Sequence, residues 1–268
     1  MSNLALRLAS AAVLIPLALI LVLLGSPPLF SVVMVGLAIV SGLEWGNMTL
    51  AAALRSRRAV AAVLTGLAAG SIAFSGLWAP LPILTFSLLF PIAFLAFSSC
   101  GAELADSVRG AGLSVAGAAY VGSLLGVIAL LFAGEHGRGW VLLLAAGAFM
   151  GDTTAYAAGR ALGRRKLAPR LSPSKTWAGS IGGLLGTMGV VAAAKATVFP
   201  ELEWIDALLL GLPLSVACQI GDLAESFVKR GCGVKDSGRI IPGHGGLLDR
   251  IDGFLFGAPV VYVFTFFR

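Results

Sequence analysis

Charge is what this sequence has least of. Of its 268 residues only 12% are Asp, Glu, Lys or Arg, while 58% are hydrophobic, and the mean hydropathy is +0.95. A soluble domain carries roughly 25% charged residues. The shortage excludes an ordinary water-soluble fold and indicates an integral membrane protein. Cysteine is scarce too: Cys100, Cys218 and Cys232 show neither metal-site spacing nor a pairing pattern, which leaves them as small buried apolar residues. No long polar linker and no repeat of fixed period is visible, so a single domain is expected. A Walker phosphate loop is also missing, because Lys175-Thr176 lacks the glycines that motif requires.

Apolar runs are present in abundance, at about 8–25, 29–50, 59–78, 81–99, 111–133, 139–158, 178–199, 205–228 and 253–267. Each approaches the length of about 20 residues that crosses a bilayer as a helix. The sequence therefore predicts an all-α integral membrane protein, a polytopic bundle of about nine transmembrane helices. The first run lacks a small-residue cleavage site followed by a soluble domain and is read as a helix rather than a signal peptide. The 35 glycines suit membrane helices, which use small residues to bring backbones close. Gly179, Gly182, Gly183, Gly186 and Gly189 form such a packing face. As a nucleotide loop they would need a preceding strand, and none is expected.

The few charges are unevenly placed. Arg55-Ser-Arg-Arg58 holds three bases, and 160–170 holds Arg160, Arg164, Arg165, Lys166 and Arg170, whereas 200–206 holds Glu201, Glu203 and Asp206 without a base. Lys and Arg excess marks cytoplasmic loops. With the loop after the second helix inside, those after the fourth, sixth and eighth also fall inside, and 79–82, 134–138 and 200–206 fall outside. The slightly acidic segment 100–110, with Glu103 and Asp106 against Arg109, fits this pattern less well.

The densest charge lies between Asp222 and Asp252, where Asp222, Glu225, Asp236, Asp249 and Asp252 alternate with Lys229, Arg230, Lys235, Arg239 and Arg250. Asp222, Glu225, Ser226 and Lys229 are spaced i, i+3, i+4 and i+7, one face of a helix. A polar stripe on a membrane helix faces a cavity or the bundle interior. Asp249 and Asp252 are three apart at the entry to the last helix. Carboxylates from two segments suit a hard cation such as Mg²⁺ that takes its remaining oxygens from water and phosphate. The plainer alternative is that these acids pair with the neighbouring bases. Between them, Pro242-Gly243-His244-Gly245-Gly246 brings main-chain N–H groups within reach of an anion. His244 is either a phosphate contact, an acid or base, or a simple hydrogen-bond partner. The bases can neutralise phosphate or hold lipid headgroups.

A second constellation runs from Gly151 to Gly179. Asp152 falls near the cytoplasmic end of the sixth helix with Tyr156 one turn on, and Ser172-Pro-Ser174-Lys175-Thr176 leads into the seventh. Hydroxyls and amides at a helix start favour anions, and they are equally the ordinary composition of an N-cap. Glu44 and Lys195 stand apart from both clusters; Glu44 could reach the same cavity, Lys195 could snorkel at the outer end, and neither receives a catalytic role.

Taken together these residues closely resemble the bacterial phosphatidate cytidylyltransferases, the CDP-diacylglycerol synthases. The family's signature elements appear as Ser226, Lys229-Arg230, Lys235-Asp236, His244-Gly245-Gly246, Asp249-Arg250 and Asp252. Earlier elements appear as Gly151-Asp152, Ala155-Tyr156, Gly159-Arg160, Ser172-Pro173 and Lys175-Thr176. Relatives usually carry Glu after the Lys-Thr-Trp where this chain has Ala178, so position 178 is left out of the site. The likeness is detailed in the C-terminal half only. It implies a catalytic half at 136–268 behind packing, lipid-contacting and oligomer-forming helices at 1–135.

The resemblance further implies transfer of the cytidylyl group of CTP to phosphatidate, giving CDP-diacylglycerol and pyrophosphate. Asp222 and Asp249 are then expected to hold Mg²⁺ (or Mn²⁺ in its place), with a second cation of the K⁺ type. Asp222, Asp249, Asp252, Lys229 and Arg230 would be catalytic. Asp152, Tyr156, Ser174, Lys175, Thr176, Ser226, Lys235, Asp236, His244, Gly245, Gly246 and Arg250 would contact substrate. A homodimer in the cytoplasmic membrane, its site facing the cytoplasm and no nucleic acid among its partners, completes the expectation. Two rivals are weaker. A transporter would show repeated halves, and a CDP-alcohol phosphotransferase would carry an Asp-Gly…Ala-Arg run that is absent here.

Overall fold

The computed structural model describes residues 3–50, 54, 57–75, 89, 103–243 and 245–267. Most of the expected fourth run (81–99), Arg55, Cys100 and His244 lie outside the described residues. Two compact units emerge, one of residues up to Ala133 with Gly231–Ile251, the other of Gly134–Arg230 with the residues from Asp252 onward.

The first unit is helical. α1 (Asn3–Leu24) is followed by α2 (Pro27–Thr49), whose paired prolines sit in the first turn, where a missing N–H costs nothing. α3 (Arg58–Ala73) and α4 (Leu104–Gly117) come next, and a π-helical turn at Ala118–Gly122 joins α4 to α5 (Ser123–Ala133). Small residues set the spacing. A Cβ on Gly42 would meet the Cα of Ala62 at 2.9 Å, and one on Gly126 would meet the Ala69 carbonyl at 2.8 Å. These backbones therefore pack more closely than larger side chains would allow. Ala38, Ala68, Ala69 and Ala129 are fully buried, and Phe30 stacks on Phe132 at 3.9 Å. The π turn lies beside Trp45 of α2: its indole N–H donates to the Leu113 carbonyl at 2.7 Å, and its ring meets Tyr120 edge-on at 5.7 Å.

In the second unit α6 (Gly137–Leu162) and α7 (Trp177–Thr197) run antiparallel, joined by a hairpin of β1 (Lys166–Ala168) and β2 (Ser172–Thr176). Lys166 pairs with Thr176 and Ala168 with Ser172. A short α8 (Asp206–Leu209) leads through Leu210 into α9 (Gly211–Gly231). The last helix, α10 (Leu248–Phe264), contributes its residues from Asp252 onward. Leu144, Leu214, Leu255, Ala258 and Val261 are buried here, and Trp140 stacks on Phe199 at 4.2 Å.

This is an all-helical membrane protein apart from the hairpin. By length and composition five helices are sufficient to cross a bilayer: Pro27–Thr49, Leu104–Ala133, Gly137–Leu162, Trp177–Thr197 and Asp206–Gly231. A count of nine is not reached: Ala9–Leu24 and Arg58–Ala73 are shorter apolar helices, the last helix, Leu248–Phe264, has only 17 residues, and most of the expected fourth run is not described. Two further expectations change. Helix α4 starts at Leu104, so Asp106 and Arg109 lie on it rather than in a loop. A strand does precede α7, because the turn at Pro169–Leu171 lets Ser172–Thr176 fold back along β1.

The glycine face keeps its packing role all the same. Gly179, Gly182, Gly183 and Gly186 abut Ala155, Ala158, Thr154 and Gly151 of α6 so closely that added Cβ atoms would collide, whereas Gly189 faces open space.

Candidate active site

In the second unit Lys175, next to last in β2, places its ammonium 2.5 Å from Asp222 Oδ2 on α9. The other carboxylate oxygen of Asp222 accepts from the Ser226 hydroxyl at 3.5 Å. One turn on, Lys229 donates to Glu225 Oε2 at 2.8 Å, and Glu225 is fully buried. Asp252 lies within interaction range of Glu225, Asp222 and Lys229 and accepts from the Gly253 amide at 2.9 Å. Asp152 of α6 and Asp252 of α10 both lie within electrostatic range of Cys218 on α9. The i, i+3, i+4, i+7 stripe thus exists, with Lys229 paired to Glu225 within it and Asp222 paired to Lys175 of β2.

Other predicted contacts are less concentrated. Thr176 is buried as the N-cap of α7, its hydroxyl accepting from the Gly179 amide at 3.1 Å. Ser174 and Arg230 are exposed. Tyr156 is exposed and accepts from Arg160 at 3.0 Å.

In the first unit the segment after α9 is folded around two carboxylates. Asp249, in the first turn of α10, accepts from the Ser237 amide at 3.0 Å and from the Gly246 amide at 2.9 Å, both to Oδ2. Gly243 and Gly245 hold φ of +77° and +87°, which only glycine adopts without strain. The Ile241 amide closes this tight turn on the Gly245 carbonyl at 3.0 Å. The glycine-rich segment therefore does offer main-chain donors to an anion, and here that anion is the protein's own Asp249. Lys235, Asp236 and Arg250 are exposed. Burial pushes the Cys232 thiol above its ordinary value against the opposing pull of Arg109, consistent with an unreactive neutral thiol.

Glu44 stands out in the sequence but receives no role and no partner there. It is buried on α2 and accepts from the Leu247 amide at 3.0 Å and the Leu248 amide at 2.9 Å. Roughly two hundred residues of sequence separate these partners, and the one available signal was an acid inside an apolar run.

Among the described residues no group of three or more His, Cys, Asp or Glu is arranged to enclose a metal ion. Mg²⁺ does not need such a cage, because it is commonly held by one or two carboxylates plus water and substrate phosphate. Asp222 suits that role. It is a hard oxygen donor, its side chain is 37% exposed, and it already draws a cation, the ammonium of Lys175.

A model of the cytidylyltransferase family matches residues 5–267 of the chain. A phosphatidate cytidylyltransferase of Brucella abortus is 43% identical over 184 residues, 68% of this chain and 67% of that protein. One from Mycobacterium leprae is 39% identical over 163 residues (60% and 52%), and one from Bacillus subtilis is 49% identical over 116 residues, 41% of each chain. With a match that runs from α1 to the end of α10 and takes in both carboxylate-centred constellations, this chain belongs to the cytidylyltransferase family.

Proposed function

We propose that the protein transfers the cytidylyl group of CTP to phosphatidate, releasing pyrophosphate and forming CDP-diacylglycerol for phospholipid synthesis. The observation that carries the reading is the family match over residues 5–267, within which the run from Ser226 to Asp252 keeps every signature element. A phosphate monoester is largely ionised near neutral pH, so its oxygen can attack the α-phosphorus of CTP in line without a strong base. The new bond is phosphate oxygen to Pα, the bond broken is that between Pα and the oxygen bridging to Pβ, and pyrophosphate carries away the electron pair on that oxygen. Positioning and charge neutralisation then do most of the catalysis.

Ser174, Lys175, Lys229, Arg230 and Lys235 neutralise and orient phosphates, and Asp252 and Asp152 orient the cationic groups around them. Asp222 and Asp249 are the residues that would hold Mg²⁺, which when bound would supply neutralisation of phosphate charge. Mn²⁺ in its place and a second, K⁺-type cation fit the same oxygen-rich chemistry. Lys175 on Asp222 is the resting arrangement, and nucleotide phosphate draws the ammonium away. We place the chain in the cytoplasmic membrane as a multi-pass homodimer, its chemistry facing the cytoplasm and the acyl chains of its lipid substrate among the helices.

Incorporation of radiolabelled CTP into lipid by purified protein in vesicles of phosphatidate and phosphatidylcholine tests the reading. Activity that requires both phosphatidate and Mg²⁺ supports it, and transport of solute without nucleotide incorporation overturns it. In the same assay Asp222→Asn and Asp249→Asn should each cost at least about a hundredfold in rate, roughly 2.7 kcal/mol. Near-normal rates in folded variants would remove the metal assignment.

A further inference from the structure

Glu44 is a carboxylate with an unusual set of partners. It lies inside an apolar helix, is 2% exposed, and among the described residues forms no ion pair with Lys or Arg. Its oxygens instead take the Leu247 amide at 3.0 Å, the Leu248 amide at 2.9 Å and, more loosely, the Ser237 hydroxyl at 3.5 Å. Two of these donors are the orphan N–H groups at the start of α10, where a negative charge is favoured by the helix dipole.

The height of Glu44 along α2 is fixed by its neighbour. Trp45 donates to the Leu113 carbonyl, and its ring fills the space that a side chain at Gly117 would occupy, with a Cβ there only 2.6 Å from the indole.

The segment is shaped to receive this carboxylate. A Cβ at Gly238 would strike Glu44 Oε1, and its three nearest atoms all belong to Glu44; one at Gly246 would lie 2.8 Å from Glu44 Oε2. Asp249 binds the same segment from the other direction, through the amides of Ser237 and Gly246. Ser237 therefore offers its hydroxyl to one carboxylate and its amide to the other.

We infer that Glu44 is a positioning residue for the proposed reaction: it clamps Ser237, Gly238 and the stretch Gly246–Leu248 onto α2 and so fixes Asp249 and the Lys235-Asp236 pair. It acts through Asp249 and touches neither substrate. This inference rests on the proposed reading for its kinetic arm but not for its structural one. Glu44→Gln replaces one acceptor oxygen with an NH₂ that faces a backbone N–H, so one amide contact is lost.

Amide hydrogen exchange on the purified wild-type protein comes first. The Leu247 and Leu248 amides should exchange at least about a hundredfold more slowly than an open loop, since a bound amide exchanges only on local opening. Open-loop rates there would overturn the clamp without any variant. In Glu44→Gln these two amides should exchange about tenfold faster. The Mg²⁺ concentration for half-maximal CTP incorporation should rise about fivefold or more and kcat should fall, with KM for phosphatidate within about twofold. A purely structural role would lower the folded fraction and leave the Mg²⁺ dependence unmoved, and that outcome sinks the proposal.

Where Glu44→Gln does not fold, Gly238→Ala carries the kinetic test, because its methyl displaces the same carboxylate. Gly238→Ala should reproduce the Mg²⁺ shift, whereas Gly233→Ala, whose methyl meets nothing within 4 Å, should leave the Mg²⁺ dependence unmoved. Equal effects of the two, or none from Gly238→Ala, overturn the inference. Failure of the functional reading looks different: the wild-type protein itself would incorporate no CTP, while the exchange pattern would stand.

Discussion

At the scale of single residues, the glycines at positive φ separate strain from contact. Gly233 and Gly245 hold φ of +71° and +87°, but a Cβ on Gly233 meets open space, whereas one on Gly245 lies 2.9 Å from Asp249 Oδ2. Replacing either by Ala forces an L-residue into a left-handed conformation, at roughly 1–3 kcal/mol. At Gly233 that should be the whole effect, a lower melting temperature with CTP incorporation close to wild type. At Gly245 the methyl must also push the Asp249 carboxylate aside. Gly245→Ala should therefore lose activity out of proportion to its loss of stability, and equal activities in the two variants would break the link between this turn and Asp249. Sequence spacing already marked Gly245 and Asp249, because charge and glycine are conspicuous in an apolar chain. It could mark Glu44 as an acid inside an apolar run but not supply its partners, which are backbone amides about two hundred residues away and carry no side-chain signature.

At the scale of elements, helices were readable and the hairpin was not. Eight of the nine apolar runs coincide with described helices, since a 20-residue apolar stretch has few other ways to satisfy its backbone in a bilayer. The hairpin β1–β2 has no hydrophobic alternation to announce it. Its strands are three and five residues long and half-buried more often than exposed, and the sequence there reads equally well as the approach to an N-cap. The visible cue was Pro169 at the turn. The glycine face on α7 was readable in kind but not in extent, for it stops at Gly186. Gly182→Val should wedge α6 from α7, because an added Cβ there lies 2.5 Å from that of Ala158 and 3.0 Å from the Thr154 carbonyl. The expected result is a loss of folded protein in detergent of at least about 2 kcal/mol, by the same logic as overpacking a core. Gly189→Val, which meets nothing within 4 Å, should melt near the wild-type temperature. Equal behaviour of the two would mean that α6 and α7 do not depend on this crossing.

At the scale of the whole molecule, the distribution of sign along the chain makes its own prediction. From Arg160 to Lys175 the hairpin region carries six bases and no acid, whereas Glu201, Glu203 and Asp206 follow α7. One helix of 21 residues, Trp177–Thr197, separates the two groups, and at 1.5 Å per residue it is about as long as the hydrocarbon core is thick. A helix of that length with bases at its start and acids past its end is held in one orientation by the positive-inside rule. The hairpin should therefore face the cytoplasm and the acidic turn the other side. In a background with Cys100, Cys218 and Cys232 replaced by Ser, Arg164→Cys and Arg170→Cys should be labelled by a membrane-impermeant maleimide only from the cytoplasmic side. Glu201→Cys should be labelled from the opposite side. Because CTP is cytoplasmic and Lys175 lies on the hairpin, the reverse pattern would remove the nucleotide from reach of the Lys175–Asp222 pair and with it the proposed chemistry. Labelling of all three from one side would instead show that Trp177–Thr197 does not cross the bilayer, leaving the carboxylates of α9 without the orientation assigned to them.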